Sequence, residues 1–179
     1  MKFIGERISI LEKENELSIV IFSYRNKFKN ILVIAWVIIF SICGILAVSE
    51  FRHAVERDSK IFWLVFVSFW VYFELVVFKA VLWRLRGKEK ILVTTDMVKI
   101  KRDISGFERF KEYSLAQTSE WGRVTTDKNS LVYSYENAYW FVGAERIRFS
   151  YYGREVRFAS QLSEEETSEL LGKLRQYVK

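Results

Sequence analysis

The sequence predicts a membrane α+β protein, in which a two-helix transmembrane hairpin is joined to a β-barrel or β-sandwich domain with a C-terminal helix. Three observations predict this fold class. Two long apolar runs lie in the first half of the chain, alternating apolar and polar residues follow them, and an amphipathic segment ends the chain. We therefore divide the chain into a β-hairpin with a basic collar (residues 1–30), the transmembrane hairpin (31–83) and the main domain outside the membrane (84–179).

The two apolar runs cover residues 31–49 and 61–83, and residues 50–60 are the predicted outer loop. Each run is close to the ~20 residues that a helix needs to cross a bilayer. Such a run spans as a helix because its backbone polar groups find no water inside lipid. Ser41, Gly44 and Ala47 recur every three residues, and a face of small residues lets a second helix approach closely. The alternative is that these small residues are incidental.

The charges beside the apolar runs predict the orientation of the hairpin. Seven Lys or Arg residues flank the hairpin, just before residue 31 and just after residue 83. Only three lie in the loop at 50–60. The positive-inside rule then places both termini in the cytoplasm and the loop outside. We expect a multi-pass protein of the inner (cytoplasmic) membrane, with Trp63 and Trp83 at the two interfaces, where indole rings prefer to lie.

The net charge of +6 is concentrated next to the membrane. Residues 84–112 carry nine basic and five acidic side chains, whereas residues 113–179 carry nine of each. A basic zone beside a transmembrane helix is typical of contact with anionic lipid, so we predict a lipid partner and no nucleic-acid partner. The predicted headgroup contacts are Arg25, Lys27, Lys29, Arg84, Arg86 and Lys88.

Alternating residues after the apolar runs predict a series of β-strands. We place these strands at 90–94, 97–101, 107–115, 131–135, 146–151 and 155–159, and a β-hairpin at 7–11 and 17–22. Ser163 and Glu166 form a capping-box pattern at the start of a helix over residues 163–178, whose apolar face includes Leu171 and Leu174. Strands followed by one terminal helix match the order of a pleckstrin-homology-like (PH-like) barrel or sandwich.

Several short motifs together resemble a known group of membrane proteins. They are Ser23-Tyr24-Arg25-Asn26-Lys27, Gly87-Lys88-Glu89-Lys90-Ile91, Val98-Lys99-Ile100-Lys101-Arg102, the turn Ser105-Gly106, and residues 154–161 before the final helix. The layout resembles bacterial two-span membrane proteins with a cytoplasmic PH-like domain, including an uncharacterised family found beside haem–copper oxidase genes. It also faintly resembles the photosystem I assembly-factor family, from which it departs at Ile104-Ser105-Gly106-Phe107, because that family has a proline there. The resemblance implies a PH-like fold and supplies no catalytic residue.

Glu74 is the residue of the second apolar run that most strongly indicates a function. It lies near the bilayer midplane, where an ionised carboxylate costs roughly 3 kcal/mol. One hypothesis is that Glu74 forms an interhelical hydrogen bond or contacts another protein subunit. Trp70, Phe66 and Phe73 would share the subunit contact, because one partner helix cannot cover all the aromatic residues of this run. A second hypothesis is that Glu74 is neutral and hydrogen-bonded within its own hairpin, by Ser41 or by backbone carbonyls. A third is that the span has a different register.

The sequence contains no pattern that indicates a chemical reaction. Cys43 is the only cysteine and His53 the only histidine, so we expect neither a zinc site nor histidine-based catalysis. No Gly-rich phosphate loop is present. Aromatic and basic residues alternate at 146–157, which is typical of a half-buried strand and, as the weaker alternative, of a platform for single-stranded nucleic acid. We predict no enzyme activity, no catalytic residue, no cofactor and no metal.

Two classes of function fit these observations. The first is a non-enzymatic accessory or assembly subunit of a larger integral membrane complex, which docks through the hairpin. The alternative is a membrane-anchored PH-like module that binds anionic lipid or a cytoplasmic partner. Co-purification of a protein partner in mild detergent distinguishes the two.

Overall fold

The computed structural model describes residues 2–23, 27–104, 106–125 and 144–178. In this part of the chain, three strands come first, followed by two long helices, six further strands and a final helix. The elements are β1 (Lys2–Ile4), β2 (Ile8–Lys13), β3 (Glu16–Phe22), α1 (Lys27–His53), α2 (Arg57–Arg86), β4 (Lys88–Thr94), β5 (Met97–Asp103), β6 (Lys111–Ser114), a 3-10 turn (Leu115–Gln117), β7 (Thr118–Arg123), β8 (Glu145–Tyr151), β9 (Arg154–Ser160) and α3 (Glu164–Tyr177).

Helices α1 and α2 form an antiparallel pair, the helical hairpin, and each is long and apolar enough to cross a membrane. Mean hydropathy reaches 3.0 for Asn30–His53 and 2.2 for Arg57–Arg86. Only 17% and 6% of the residues in their most apolar windows are buried, which distinguishes them from the core helices of a water-soluble domain. Two exposed apolar helices of this kind support the predicted association with a membrane.

The connection between α1 and α2 is shorter than the predicted loop at 50–60, and this prediction is corrected. α1 continues to His53 and α2 begins at Arg57, so only residues 54–56 connect them. No Pro or Gly interrupts the segment. Its charges also suit helix ends, because Arg52 lies in the last turn of α1 and Asp58 in the first turn of α2, where each complements the helix dipole.

The strands on both sides of the helical hairpin belong to one sheet. β3 pairs with β4 in antiparallel register, from Glu16 opposite Thr94 to Phe22 opposite Lys88. The six-stranded sheet has the order β1 to β6, and a second sheet has the order β7-β8-β9. The helical hairpin is therefore inserted between two neighbouring strands. We call the two sheets and α3 together the β domain.

Most of the predicted strands are present. The hairpin at 7–11 and 17–22 is confirmed as β2 and β3, and the segments at 90–94, 97–101, 146–151 and 155–159 are confirmed as β4, β5, β8 and β9. The strand predicted at 107–115 is reduced to β6, Lys111–Ser114, and neither β1 nor β7 was predicted. The strand predicted at 131–135 lies outside the described residues.

The two sheets and α3 share one hydrophobic core. Strand residues alternate between buried and less buried positions, as in β3, where Leu17, Ile19 and Ile21 are buried. α3 adds Leu170, Leu171 and Leu174 to this core and packs against β1, β7 and β8. The predicted capping box is confirmed: the Ser163 hydroxyl accepts from the Glu166 N–H at 3.1 Å, and the Glu166 carboxylate accepts from the Ser163 N–H at 2.8 Å. The layout is compatible with a membrane α+β protein, and its PH-like arrangement stays a prediction.

A single residue, Gly87, joins α2 to the sheet. The Ser23 N–H donates to the Gly87 carbonyl at 3.1 Å, and the Ser23 hydroxyl donates to the Arg84 carbonyl at 2.9 Å. These bonds supply partners at a helix end, where backbone carbonyls lack intrahelical donors. A Cβ atom at position 87 would overlap the backbone carbonyl and ring of Trp83, so only glycine allows this close approach.

This junction fixes which end of the six-stranded sheet lies beside the helical hairpin. Lys88, the first residue of β4, is opposite Phe22 on one side and Asp103 on the other. We call the end of the β domain that contains these three residues the proximal end. The turn at Tyr152 and Gly153, between β8 and β9, lies at the opposite, distal end, because Ser160 at the other end of β9 is bonded to Glu89 in β4.

Candidate interaction site

The predicted face of small residues forms the contact between α1 and α2. Ala47 is buried, and the Ser41 hydroxyl reaches the side chain of Glu74 across the contact. A Cβ atom at Gly44 would overlap the indole ring of Trp70. The prediction that this face admits a second helix is thus confirmed, and Gly44 leaves the space that the Trp70 ring occupies.

Trp70 is directed toward α1 and not toward the outside of the helical hairpin. Its indole N–H donates to the backbone carbonyl of Phe40 at 3.0 Å. Its ring lies 5.8 Å from the Phe40 ring, which in turn stacks on Trp36 at 4.7 Å. Of the four predicted partner contacts, Trp70 is therefore already used in holding the two helices together.

Glu74 also lies at the contact between the two helices. The Ser41 hydroxyl is 2.6 Å from Glu74 Oε1 and 2.8 Å from the Val37 carbonyl. The Ser41 hydroxyl thus lies between a carbonyl of its own helix and the carboxyl group of Glu74 on α2, and it can donate to either. This geometry matches the hypothesis of a carboxyl held within its own hairpin. Glu74 Oε2 is buried and has no hydrogen-bond partner among the described residues.

The other two predicted contacts, Phe66 and Phe73, lie on an exposed side of α2. Together with Phe62 and Phe69 they occupy positions i, i+4, i+7 and i+11, which fall on one side of a helix. The exposed fractions of their side chains are 61% for Phe62, 45% for Phe66, 64% for Phe69 and 50% for Phe73. We call these four residues the phenylalanine stripe.

The predicted lipid-headgroup residues are not equivalent. Lys27 and Arg86 are exposed and Lys88 is half-buried. Arg84 is 8% exposed and its backbone carbonyl is part of the junction with Ser23, so it offers little surface to a headgroup. Arg25 and the side chain of Lys29 lie outside what the structure describes.

A buried carboxylate, Glu89, ties the two sheets together at the proximal end, and sequence analysis missed it. Glu89 is 1% exposed, and it accepts from the Arg102 guanidinium at 3.3 Å and from the Ser160 N–H at 3.1 Å. Arg102 also pairs with Glu145. β4 and β5 are thereby linked to β8 and β9. The signal was present in the sequence, since Glu89 is in phase with the buried residues Ile91 and Val93.

Burial raises the pKa of the Glu89 carboxyl, although Arg102 and backbone N–H groups oppose the shift. A raised pKa means that the folded state binds the proton more tightly than the unfolded state. The contribution of Glu89 to stability is therefore fully present below its ordinary pKa and declines as pH rises through the raised one. Glu89→Gln, which keeps the shape without the charge, lacks this decline.

We expect the melting temperature of the wild type, relative to Glu89→Gln, to fall as pH rises from about 4.3 toward neutral. Thermal unfolding of the full chain in detergent at several pH values measures this difference. Glu155→Gln is the control, and for it we expect a pH dependence of opposite sign, because a hydrogen bond from Arg157 lowers the pKa of Glu155. A difference between the wild type and Glu89→Gln that is constant with pH would contradict the prediction.

An open cleft of about 430 Å³ lies between β5–β6 and β8–β9. Basic and acidic side chains both line it, including Arg109, Lys111 and Arg157 with Glu108 and Glu155. Because these charges largely balance, the cleft has no strong preference for an anion. In the described part of the chain, no three His, Cys, Asp or Glu side chains are grouped as they are around a metal ion.

The chain matches no family model, no curated protein and no solved structure. The resemblance to two-span membrane proteins with a PH-like domain therefore stays a prediction. The helical hairpin and its junction with the β domain are the features of the chain that indicate a function.

Proposed function

We propose that this chain is a non-enzymatic accessory or assembly subunit of a larger integral membrane complex, and that it docks through the phenylalanine stripe of α2. The observation that carries the proposal is the row of four exposed phenylalanine rings at helical spacing on one side of that helix. The opposite side carries the exposed residues Leu64, Val71, Leu75 and Phe78. Lipid can cover either side, whereas a groove in a partner protein accepts anchors at helical spacing, as these four rings are.

Trp70 and Glu74 take a supporting role in this proposal. Both bond to α1, Trp70 through the Phe40 carbonyl and Glu74 through Ser41. They set how α2 is rotated against α1, and that rotation decides which side of α2 faces outward. Phe66 and Phe73 are then the predicted residues that contact the partner directly.

Co-purification in mild detergent tests the docking surface. The double variant Phe66→Ala/Phe73→Ala removes two exposed rings from the middle of the stripe. We expect the yield of co-purified partner to fall at least about tenfold below that of the wild type. This fall corresponds to a loss of ~1.4 kcal/mol of binding free energy. The matched control, Leu64→Ala/Leu75→Ala, removes similar volume from the opposite exposed side and should retain the partner. Wild-type yield from the phenylalanine variant, or equal loss from both, would contradict the proposal.

Glu74→Leu separates a direct partner contact from a contact within the helical hairpin. Interhelical hydrogen bonds in membranes contribute about 0.6–2 kcal/mol. We expect Glu74→Leu to weaken the helical hairpin by about this amount and to keep the partner yield within roughly twofold, as should Ser41→Ala, which removes the same bond. A loss of partner in Glu74→Leu alone would show that Glu74 contacts the partner directly, as the first hypothesis states.

The proposed location is the inner membrane, with both termini in the cytoplasm. Support comes from the seven Lys or Arg residues at the flanks against three in segment 50–60. Val55, at the turn between the helices, is 88% exposed, and Gln176 is exposed on α3. In a Cys43→Ala background, we expect an impermeant thiol reagent to label Val55→Cys in intact cells and Gln176→Cys only after permeabilisation. The reverse labelling pattern would show that the termini lie outside the cytoplasm and would contradict the proposed orientation.

The alternative function is a membrane-anchored module whose β domain binds anionic lipid or a cytoplasmic partner. The observation that favours it is a group of exposed basic side chains near the proximal end: Lys27, Arg86, Arg109 and Lys111. Under this alternative, the full chain purifies in mild detergent with anionic lipid and without a membrane protein partner.

A further inference from the structure

The turn between β5 and β6 carries the most exposed aromatic residue of the β domain. Phe107 is 91% exposed, and Phe110, three residues later, is 42% exposed. The core of the domain includes neither ring. The two rings form a small exposed apolar surface on this turn.

This turn lies at the proximal end of the β domain. Asp103, the last residue of β5, is directly opposite Lys88, which follows the end of α2 by only two residues. Residues 106–110 come after Asp103 and before the chain reverses into β6. The turn therefore starts at the end of the sheet where the helical hairpin is attached, and its residues Glu108 and Arg109 line the open cleft between β5–β6 and β8–β9.

The length of α2 places this end of the sheet at the level of the lipid headgroups. Its 30 residues span about 45 Å at 1.5 Å per residue, close to the ~40–45 Å of a bilayer with its headgroup layers. If α2 crosses the membrane, Gly87 and Asp103 lie in or beside the headgroup layer. A turn that starts at this end of the sheet then lies within reach of the bilayer.

The turn is held in shape by its own hydrogen bonds. The buried Asp103 carboxylate accepts from the Gly106 N–H at 2.5 Å, and the Lys101 ammonium donates to the Gly106 carbonyl at 3.1 Å. Gly106 has a φ of +96°, which favours glycine. Lys101 also lies 5.8 Å above the Phe110 ring. The outward position of the aromatic residues is thus fixed by the turn.

Exposed charge beside these rings is mainly positive. Arg109 and Lys111 are exposed and also line the open cleft, whereas the exposed Glu112 pairs with Lys99 at 2.7 Å and Asp103 is buried. Aromatic rings flanked by cations match the interface of a bilayer, where rings enter the boundary of the acyl chains and cations meet anionic headgroups.

We propose that residues 106–111 insert into the leaflet on the β-domain side of the same membrane, with Phe107 and Phe110 between the lipids and with Arg109 and Lys111 on anionic headgroups. This contact, together with the junction at Gly87, holds the β domain in one orientation against the bilayer. The inference rests on α1 and α2 spanning a membrane and is independent of the partner protein proposed above.

A fluorescent label that reports contact with lipid tests the inference on the full chain. In a Cys43→Ala background, Arg109→Cys carries an NBD label in the turn while Phe107 stays in place. Tyr152→Cys carries the same label in the distal turn, at the far end of the seven residues of β8, which span about 20 Å. Both proteins are reconstituted into phosphatidylcholine vesicles with about 30% phosphatidylglycerol, which gives a negative surface.

We expect lipids that carry a nitroxide to quench the label at position 109 at least about threefold more strongly than the label at 152. Adding Phe107→Asp should abolish this difference. Equal quenching of both labels, or unchanged quenching at 109 with Phe107→Asp, would overturn the inference. Shielding of position 109 in native membranes but not in pure lipid vesicles would also overturn it, because a protein would then cover the turn. A label at Ile45→Cys, on an exposed position of α1, shows separately whether the helical hairpin lies in lipid.

Discussion

Leu174→Asp is expected to unfold the β domain while leaving the helical hairpin inserted. Leu174 is 0% exposed and lies in the core that α3 shares with both sheets. An unpaired carboxylate at that position costs more than about 4 kcal/mol. A typical domain has only about 5–15 kcal/mol of stability in total. The substitution therefore removes a large part of the free energy that keeps the β domain folded.

Limited trypsin digestion of the full chain in mild detergent measures this effect, because Lys and Arg residues of an unfolded β domain are cut quickly. The matched control is Gln176→Asp, which introduces the same charge on the same helix at an exposed position. We expect rapid digestion of the Leu174 variant and wild-type resistance from the control. Wild-type resistance from Leu174→Asp would show that α3 does not contribute to the core.

The elements that sequence analysis predicted correctly are those whose pattern is local. Apolar length alone indicates α1 and α2, and alternation alone indicates β2 to β5, β8 and β9. β7 was not predicted because its residues do not alternate cleanly between apolar and polar. Its pairing with β8 shifts register between Ser119 and Gly122, and Glu120 has a φ of +53°. β1 has three residues, too few for a periodic signal.

The side chains of the candidate site were harder to assign, because their roles depend on contacts between distant segments. The position of Glu74 in an apolar run indicates that it needs a partner, but its distance to Ser41 depends on how the two helices pack. The position of Glu89 among charged residues indicates a surface residue. Only the pairing of the sheets shows that it faces Arg102 and Ser160. A charged residue in phase with buried neighbours is the pattern that predicts such a buried ion pair.

Gly44→Val is expected to push α1 and α2 apart at the middle of the helical hairpin. A side chain at position 44 overlaps the Trp70 ring, so either the ring or the helix must move. Movement breaks the bonds from Trp70 to the Phe40 carbonyl and between Ser41 and Glu74. Overpacking costs about 1–3 kcal/mol, and each lost interhelical bond adds about 0.6–2 kcal/mol. Few substitutions in the helical hairpin should have a larger effect.

Spin labels on the natural Cys43 and on Val71→Cys, both exposed, report the separation of the two helices. Since packed helix axes lie about 8–10 Å apart according to the side chains between them, we expect the label distance to grow by roughly 2 Å in Gly44→Val. Adding Trp70→Ala removes the overlapping ring and should restore the original distance. Leu46→Val, at an exposed position of the same helix, is the control and should leave the distance unchanged. An unchanged distance in Gly44→Val would mean that Trp70 does not fill the space beside Gly44. The rotation of α2 against α1 described above would then be wrong.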